Sequence, residues 1–142
     1  MKALNTVKIT FPSRSVNEAF ARSALSAFAA QADPTLDELA DAKTAVSEAV
    51  TNCIVHAYAT TIGPVTLTAA LYEDGTLRVT VADKGCGIPD VSKAMEPLFT
   101  TGGTERAGLG FAVMESFMDS VKVRSTPGKG TRVTLSKRLG TR

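Results

Sequence analysis

The stretch "SEAVTNCIVHAY" (residues 47–58) restricts the fold more than any other part of the chain. Val46, Val50 and Ile54 recur every four positions, and Glu48, Asn52 and His56 recur on the same beat two residues later. Four residues advance a helix by about 400°, so each set forms a stripe, and the offset puts the stripes on opposite faces. Such a helix lies flat on a hydrophobic core and holds a carboxylate, an amide and the chain's single histidine away from it. The rest of the chain has to supply the surface on which it lies.

That surface reads as sheet. Leu4 to Phe11 alternates as a strand and Pro12 ends it. Val16 to about Gln31 is an alanine-rich helix with Val16, Phe20, Ala24, Ala27 and Phe28 on one side, and Ser13 or Ser15 to cap it. After the break "QADPT", a second helix starts on Thr35, with Glu38 in the capping-box place, and runs through the opening stretch to about Tyr58. "VTLTAALY" and "TLRVTVA" are strands joined at Asp74-Gly75, a hairpin signal. A short helix is expected around Ser92 to Met95 and another from about Gly110 to Met118, then a hairpin, "VKVRST" and "RVTLSK", around "PGKG". The order β-α-α-β-β-loop-α-β-β predicts an α+β sandwich, with helices on one face of a mixed, mostly antiparallel sheet, formed as one domain over residues 1–142.

Several classes of function are excluded at this level. A net charge of +2, with Lys and Arg spread along the sequence, does not make a nucleic-acid reader, and Lys137, Arg138 and Arg142 read as a solvated tail. No apolar run approaches the roughly 18 residues that cross a bilayer, and "MKALNTVKITF" has no leader-like core, so a cytoplasmic location without membrane contact is expected. One His and two distant cysteines, Cys53 and Cys86, lack zinc-site spacing, and the thiols read as packing residues. No GxxxxGK[ST] occurs, which excludes a P-loop.

Between residues 83 and 110 the periodicity dissolves, in a stretch too long for a mere connection. Gly85, Gly87, Gly102, Gly103 and Gly108 precede Gly110 there, which suits sharp bends and close backbone approach. "DKGCG" leaves a strand on Asp83 and turns at once. "GLGF" is expected to open a helix and offer its free N–H groups to a phosphate.

Together these segments resemble the GHKL nucleotide-binding superfamily of gyrase B, Hsp90, MutL and the histidine kinases. "EAVTN" resembles its N box, "DKGCG" its G1 box, "GLG" its G2 box and "GTRVTL" its closing strand, in the family's order. "NEAFARSALSAF", "DPTLDELADAKTAVSEAVTNCIVHAY", "EPLFTT" and "GLGFAVMESFMD" narrow the likeness to the SpoIIAB-like anti-sigma F factors, serine kinases that also sequester a sigma factor. The stretch "TTGGTERAG" is slightly shorter than the lid of those proteins, and Cys53 and Ala57 stand where they carry alanine and glycine.

The resemblance implies roles residue by residue. Asn52 would be the Mg²⁺ ligand beside ATP, and Glu48, one turn earlier, the general base for a serine hydroxyl on an anti-anti-sigma protein. Asp83 would accept a hydrogen bond from the adenine amino group, with Thr131 near the same base. Gly85 and Gly87 would fold the chain over the adenine, and the amides of Gly108 and Gly110 would meet phosphates. Arg106 would pair with the β- or γ-phosphate, and Thr100, Thr101, Leu109 and Phe111 would make lesser contacts. Glu18 and Arg22 would contact the protein partners, and a homodimer is implied. His56 receives no catalytic role. A histidine kinase would need an acceptor histidine, yet the only histidine lies in the N box, so transfer to histidine is not expected. Stress-response relatives share the same boxes, and a nucleotide-gated binding module with little kinase activity is the alternative from another class.

Overall fold

The computed structural model describes residues 2–91, 95 and 103–140, with the backbone alone for 103–109. The expected element order is recovered: β1 (Ala3–Pro12), α1 (Asn17–Ala29) with a 3-10 turn (Ala30–Ala32), α2 (Leu36–Asn52) with a π turn (Cys53–Ala57), β2 (Pro64–Tyr72), β3 (Thr76–Asp83), α3 (Gly103–Phe117), β4 (Ser120–Thr126) and β5 (Gly130–Arg138). The strands form one sheet in the order β1-β2-β3-β5-β4. All four described pairings are antiparallel, so the sheet carries none of the mixed character that the sequence allowed. The fold is α+β, with α1, α2 and α3 as its helices.

Alternation within each strand sorts the residues. Val65, Leu67, Ala69 and Leu71 of β2, Leu77, Val79 and Val81 of β3, and Val133 and Leu135 of β5 are buried under the helices. Full burial of a Val or Leu side chain contributes about 1.5–3 kcal/mol, so this layer dominates the attachment of helices to sheet. α2 lies across it with Val46 and Val50 fully buried, and Ala42, Ala45 and Ala49 beside them. α1 and α3 pack on either side of α2.

The start of α2 is closed by its own residues. Glu38 N–H donates to Thr35 Oγ1 (3.1 Å), and Thr35 N–H donates to Glu38 Oε1 (2.7 Å), the predicted capping box. The same carboxylate oxygen accepts from Gly140 N–H at 3.0 Å, which ties the end of β5 to the helix start.

Three expectations need correction here. α1 buries Ala21, Leu25, Phe28 and Ala29, while Val16 and Phe20 are 75% and 54% exposed. Leu25 and the alanines pack under the helices, and Phe20 turns to the sheet edge, meeting Phe11 edge-on with ring centroids 6.4 Å apart. Neither serine caps α1: Ser13 is buried and its hydroxyl accepts from Gly63 N–H at 3.0 Å. α3 starts at Gly103 rather than at Gly110. Glu105, Arg106, Ala107 and Leu109 are strong helix formers, enough to carry a helix through glycines that cost about 1 kcal/mol each relative to alanine. Of the expected helix around Ser92 to Met95, residues 92–94 lie outside the described residues; Met95 N–H donates to the Val91 carbonyl at 3.1 Å. No described helix is long and apolar enough to cross a membrane.

Candidate functional site

The site grows from the end of α2. From Cys53 the turn widens, and Tyr58 N–H donates to the Cys53 carbonyl five residues back at 3.0 Å. His56 sits within this widened turn, and it lines the same cavity as Asn52. A helix end also leaves carbonyls without helical partners. The loop after β3 takes them: Cys86 N–H donates to the Ala57 carbonyl at 3.2 Å, and the Cys86 thiol to the His56 carbonyl at 3.5 Å. Gly85 passes so close that any Cβ there would strike the Ala57 carbonyl and methyl. Gly87 has φ +76°, and the Cys86 carbonyl accepts from Gly128 N–H at 2.7 Å. "DKGCG" is thereby clamped between the end of α2 and the β4–β5 turn.

Under this loop is a cavity of about 60 Å³ with apolar walls that include Ala49, Ile88, Phe111 and Val133, and a carboxylate, Asp83, on its lining. Asp83 Oδ1 accepts from Gly85 N–H (2.9 Å) and from Thr131 N–H (3.2 Å). Its Oδ2 accepts only from the Cys53 thiol, at 3.4 Å, among the described residues. Burial, then the nearby Asp83 charge, pushes the Cys53 thiol well above the ordinary thiol range, so it donates as a neutral group. Ser125 links the parts, with its Oγ 2.8 Å from Thr131 Oγ1 and accepting from Ile88 N–H at 2.7 Å. Tyr58 O–H donates to the Pro64 carbonyl (2.7 Å), and its oxygen accepts from Lys84 N–H (2.6 Å), which holds the first residue of the loop.

Beside the cavity, α2 and α3 meet around Gly110. A Cβ on Gly110 would lie 3.2 Å from Asn52 Nδ2, 3.3 Å from Asn52 Oδ1 and 3.3 Å from Glu48 Oε2. The carboxylate and the amide thus stand together against bare backbone. Asn52 Nδ2 is buried and has no hydrogen-bond partner among the described residues. An unpaired buried amide costs about 1–3 kcal/mol, and a native fold that keeps one points to a role outside stability. No cluster of three or more His, Cys, Asp or Glu able to hold a metal exists among the described residues. The donors present, one amide oxygen and one carboxylate, therefore suit Mg²⁺, which retains waters and phosphate ligands, better than a cation enclosed by protein.

Glu48, Asn52, Asp83, Gly85, Gly87, Gly110, Phe111 and Thr131 are brought together as the sequence suggested. The place of "GLG" is corrected. Gly108 and Gly110 lie inside α3, where N–H groups are engaged by the helix, and the free N–H end falls on the first turn, from Gly103. The side chains of Arg106 and Leu109, and Thr100 and Thr101 entirely, lie outside the described residues. Glu18 and Arg22 do not line the cavity; they form an ion pair on α1 at 3.6 Å, too long for a hydrogen bond. Cys53, Tyr58 and Ser125 were missed as parts of the site. Ser125 did carry a signal, since it takes the inward place after Val121 and Val123, where a third apolar residue would fit.

Comparison with known proteins decides the family: the histidine kinase-like ATPase domain matches residues 11–137. The chain belongs to that family. It is a GHKL-type nucleotide-binding domain of the kinase-like ATPases, as the four boxes implied. The protein named Anti-sigma F factor in Caldanaerobacter subterraneus subsp. tengcongensis is 55% identical over 141 residues, covering 99% of this chain and 98% of that one. Its namesake in Clostridium acetobutylicum is 50% identical over 136 residues, covering 95% and 94%. Among solved structures, the RsbU and RsbW domains of a Mycobacterium tuberculosis protein superpose with a TM-score of 0.71 at 26% identity, over 95% of this chain and 32% of that one.

Proposed function

We propose that this protein is an anti-sigma factor that holds the sporulation sigma factor F inactive in an ATP-dependent way, and that it phosphorylates an anti-anti-sigma partner on serine. The observation that carries the reading is the Glu48–Asn52 pair set against Gly110, with an unpaired buried amide at the edge of a slot that ends on Asp83. Full-length relatives named Anti-sigma F factor support the assignment of partner.

In this reading the adenine enters the apolar slot and donates its amino group to Asp83 Oδ2. That oxygen is engaged only by a thiol, a weak donor, while Oδ1 is already fixed by two backbone N–H groups. The Asn52 amide oxygen would hold Mg²⁺, which when bound neutralises charge on the phosphates. Glu48, on the same helix face, accepts the proton of the incoming serine hydroxyl. The serine Oγ bonds to the γ-phosphorus, the bond to the β–γ bridging oxygen breaks, and ADP leaves. By the resemblance, Thr100, Thr101 and Arg106 would act as a lid on the triphosphate that loss of the γ-phosphate releases, with Gly108 and Leu109 of α3 beside them.

The whole chain acts as one domain and as a homodimer in the cytoplasm. Val16, Phe20 and Arg22 on the exposed side of α1, with Glu18 holding Arg22, form the surface that takes the protein partners. Incubation with γ-labelled ATP and the anti-anti-sigma protein should yield phosphoserine on that protein, and capture of sigma should be stronger with ATP than with ADP. Label that stays off the partner removes the kinase half. Sigma capture indifferent to nucleotide removes the gate.

A further inference from the structure

The alternation that sends Val and Leu towards the helices sends a different set to the open face of the sheet. Cross-strand register aligns Lys8, Thr68, Thr80, Thr134 and Lys122 in one row, and Arg132 faces Arg124 in the next. Arg78 lies on the same face, and Lys84 and Lys129 stand at its rim. Together they line a depression of about 730 Å³ that continues, across Arg124 and Arg132, into a second of about 390 Å³. Among the described residues the one carboxylate that lines either depression is Asp83, and its oxygens are taken up by Gly85, Thr131 and Cys53. The ion pairs found among the described residues, Glu18–Arg22 and Asp41–Lys137, involve none of these cations.

This arrangement opposes stability. Like charges directly opposite on neighbouring strands weaken a sheet, and Arg124 and Arg132 are such a pair. Seven of the sixteen Lys and Arg gather here, leaving nine to balance the fourteen Asp and Glu of the chain. A small net charge thus hides a strongly divided surface.

We propose that this face docks an acidic protein surface, apart from the α1 patch and adjoining the nucleotide slot at Asp83 and Thr131. Rows of Thr hydroxyls between the cations offer hydrogen bonds to carboxylates and backbone across a patch about 19 Å wide over five strands. A nucleic acid fits less well. Single strands bind on aromatic platforms, and the ring on this face, Tyr72, is covered by the Arg78 guanidinium 5.1 Å from its centroid. A second copy docking by twofold symmetry would bring the same cations face to face.

The test uses the full chain and a fluorescent Asp/Glu-rich peptide, read by anisotropy at low and high salt. Wild type should bind with an affinity that salt weakens, and Arg124→Glu/Arg132→Glu should lose about tenfold or more. Arg14→Glu/Lys43→Glu, with the same change in charge elsewhere, should lose little. Single Arg124→Glu places opposite charges across the strands, so it should raise Tm while weakening peptide binding. Equal loss in the control pair overturns the proposal, as does tighter binding of a DNA duplex or oligo-dT than of the peptide. A shift of the reversed variant from dimer to monomer on sedimentation also overturns it, by making this face the contact between copies.

Discussion

The two ends of α2 are made from similar materials and finished in opposite ways. At the first turn Thr35 and Glu38 satisfy each other's backbone, and Glu38 also takes Gly140 N–H. At the last turn Asn52 keeps a buried amide without a partner among the described residues, the helix widens, and its carbonyls are handed to a glycine loop. The first end is built for stability alone. The second forgoes stability to keep polar atoms facing an open slot, which is what binding sites do.

The largest effect that tests this contrast is on phosphoryl transfer. Glu48→Ala should retain ATP and lose about 10²–10⁴ in rate to the partner serine, measured in single turnover with labelled ATP. Wild-type transfer would make Glu48 a bystander. Next, Asn52→Leu should weaken Mg-ATP binding by about 10–100-fold by titration calorimetry while its Tm without nucleotide holds or rises, because an unpaired buried amide is removed. A fall in Tm would mean that the amide has a structural partner. Thr35→Ala should do the reverse: about 1 kcal/mol less stable in urea melts, with ATP affinity unchanged.

The smallest effect is alkaline. Cys53 keeps its proton in the fold well above its ordinary range, so the unfolded chain ionises first as pH rises. The stability this thiol contributes is intact below about pH 8.5 and is lost as pH climbs beyond it. Cys53→Ala should flatten that loss in melts between neutral and alkaline pH, leaving a remainder of the same sign from Tyr58, whose phenol burial also raises. An unchanged slope would disconnect Cys53 from the fold's titration.

The same contrast explains what was legible in the sequence. Thr35 and Glu38 act through a fixed local spacing, and the β2–β3 and β4–β5 alternations act through a period of two, so both could be read directly. The Glu48–Asn52 stripe was legible for the same reason. The π turn was not, because nothing in "CIVHA" announces it; it arises where the end of α2 meets the loop after β3. The burial side of α1 was misjudged because Phe20 found a partner, Phe11, in another element. The start of α3 falls earlier than the expected Gly110, a glycine that serves close packing against Glu48 and Asn52 inside the helix. The cationic sheet face was hidden by composition, since residues two apart in the chain become neighbours only when strands pair.

The central claim is that the Glu48–Asn52 face of α2 looks at a metal-bound nucleotide while the Thr35 end does not. Replacing Mg²⁺ by Mn²⁺ tests it in a chain of this size by NMR, because α2 separates its two ends by about 25 Å at 1.5 Å per residue. Addition of Mn-ATP should broaden the Asn52 side-chain amide signals first and the Thr35 and Glu38 backbone amides least. Broadening that spares Asn52, or that is equal at both ends, would contradict the account.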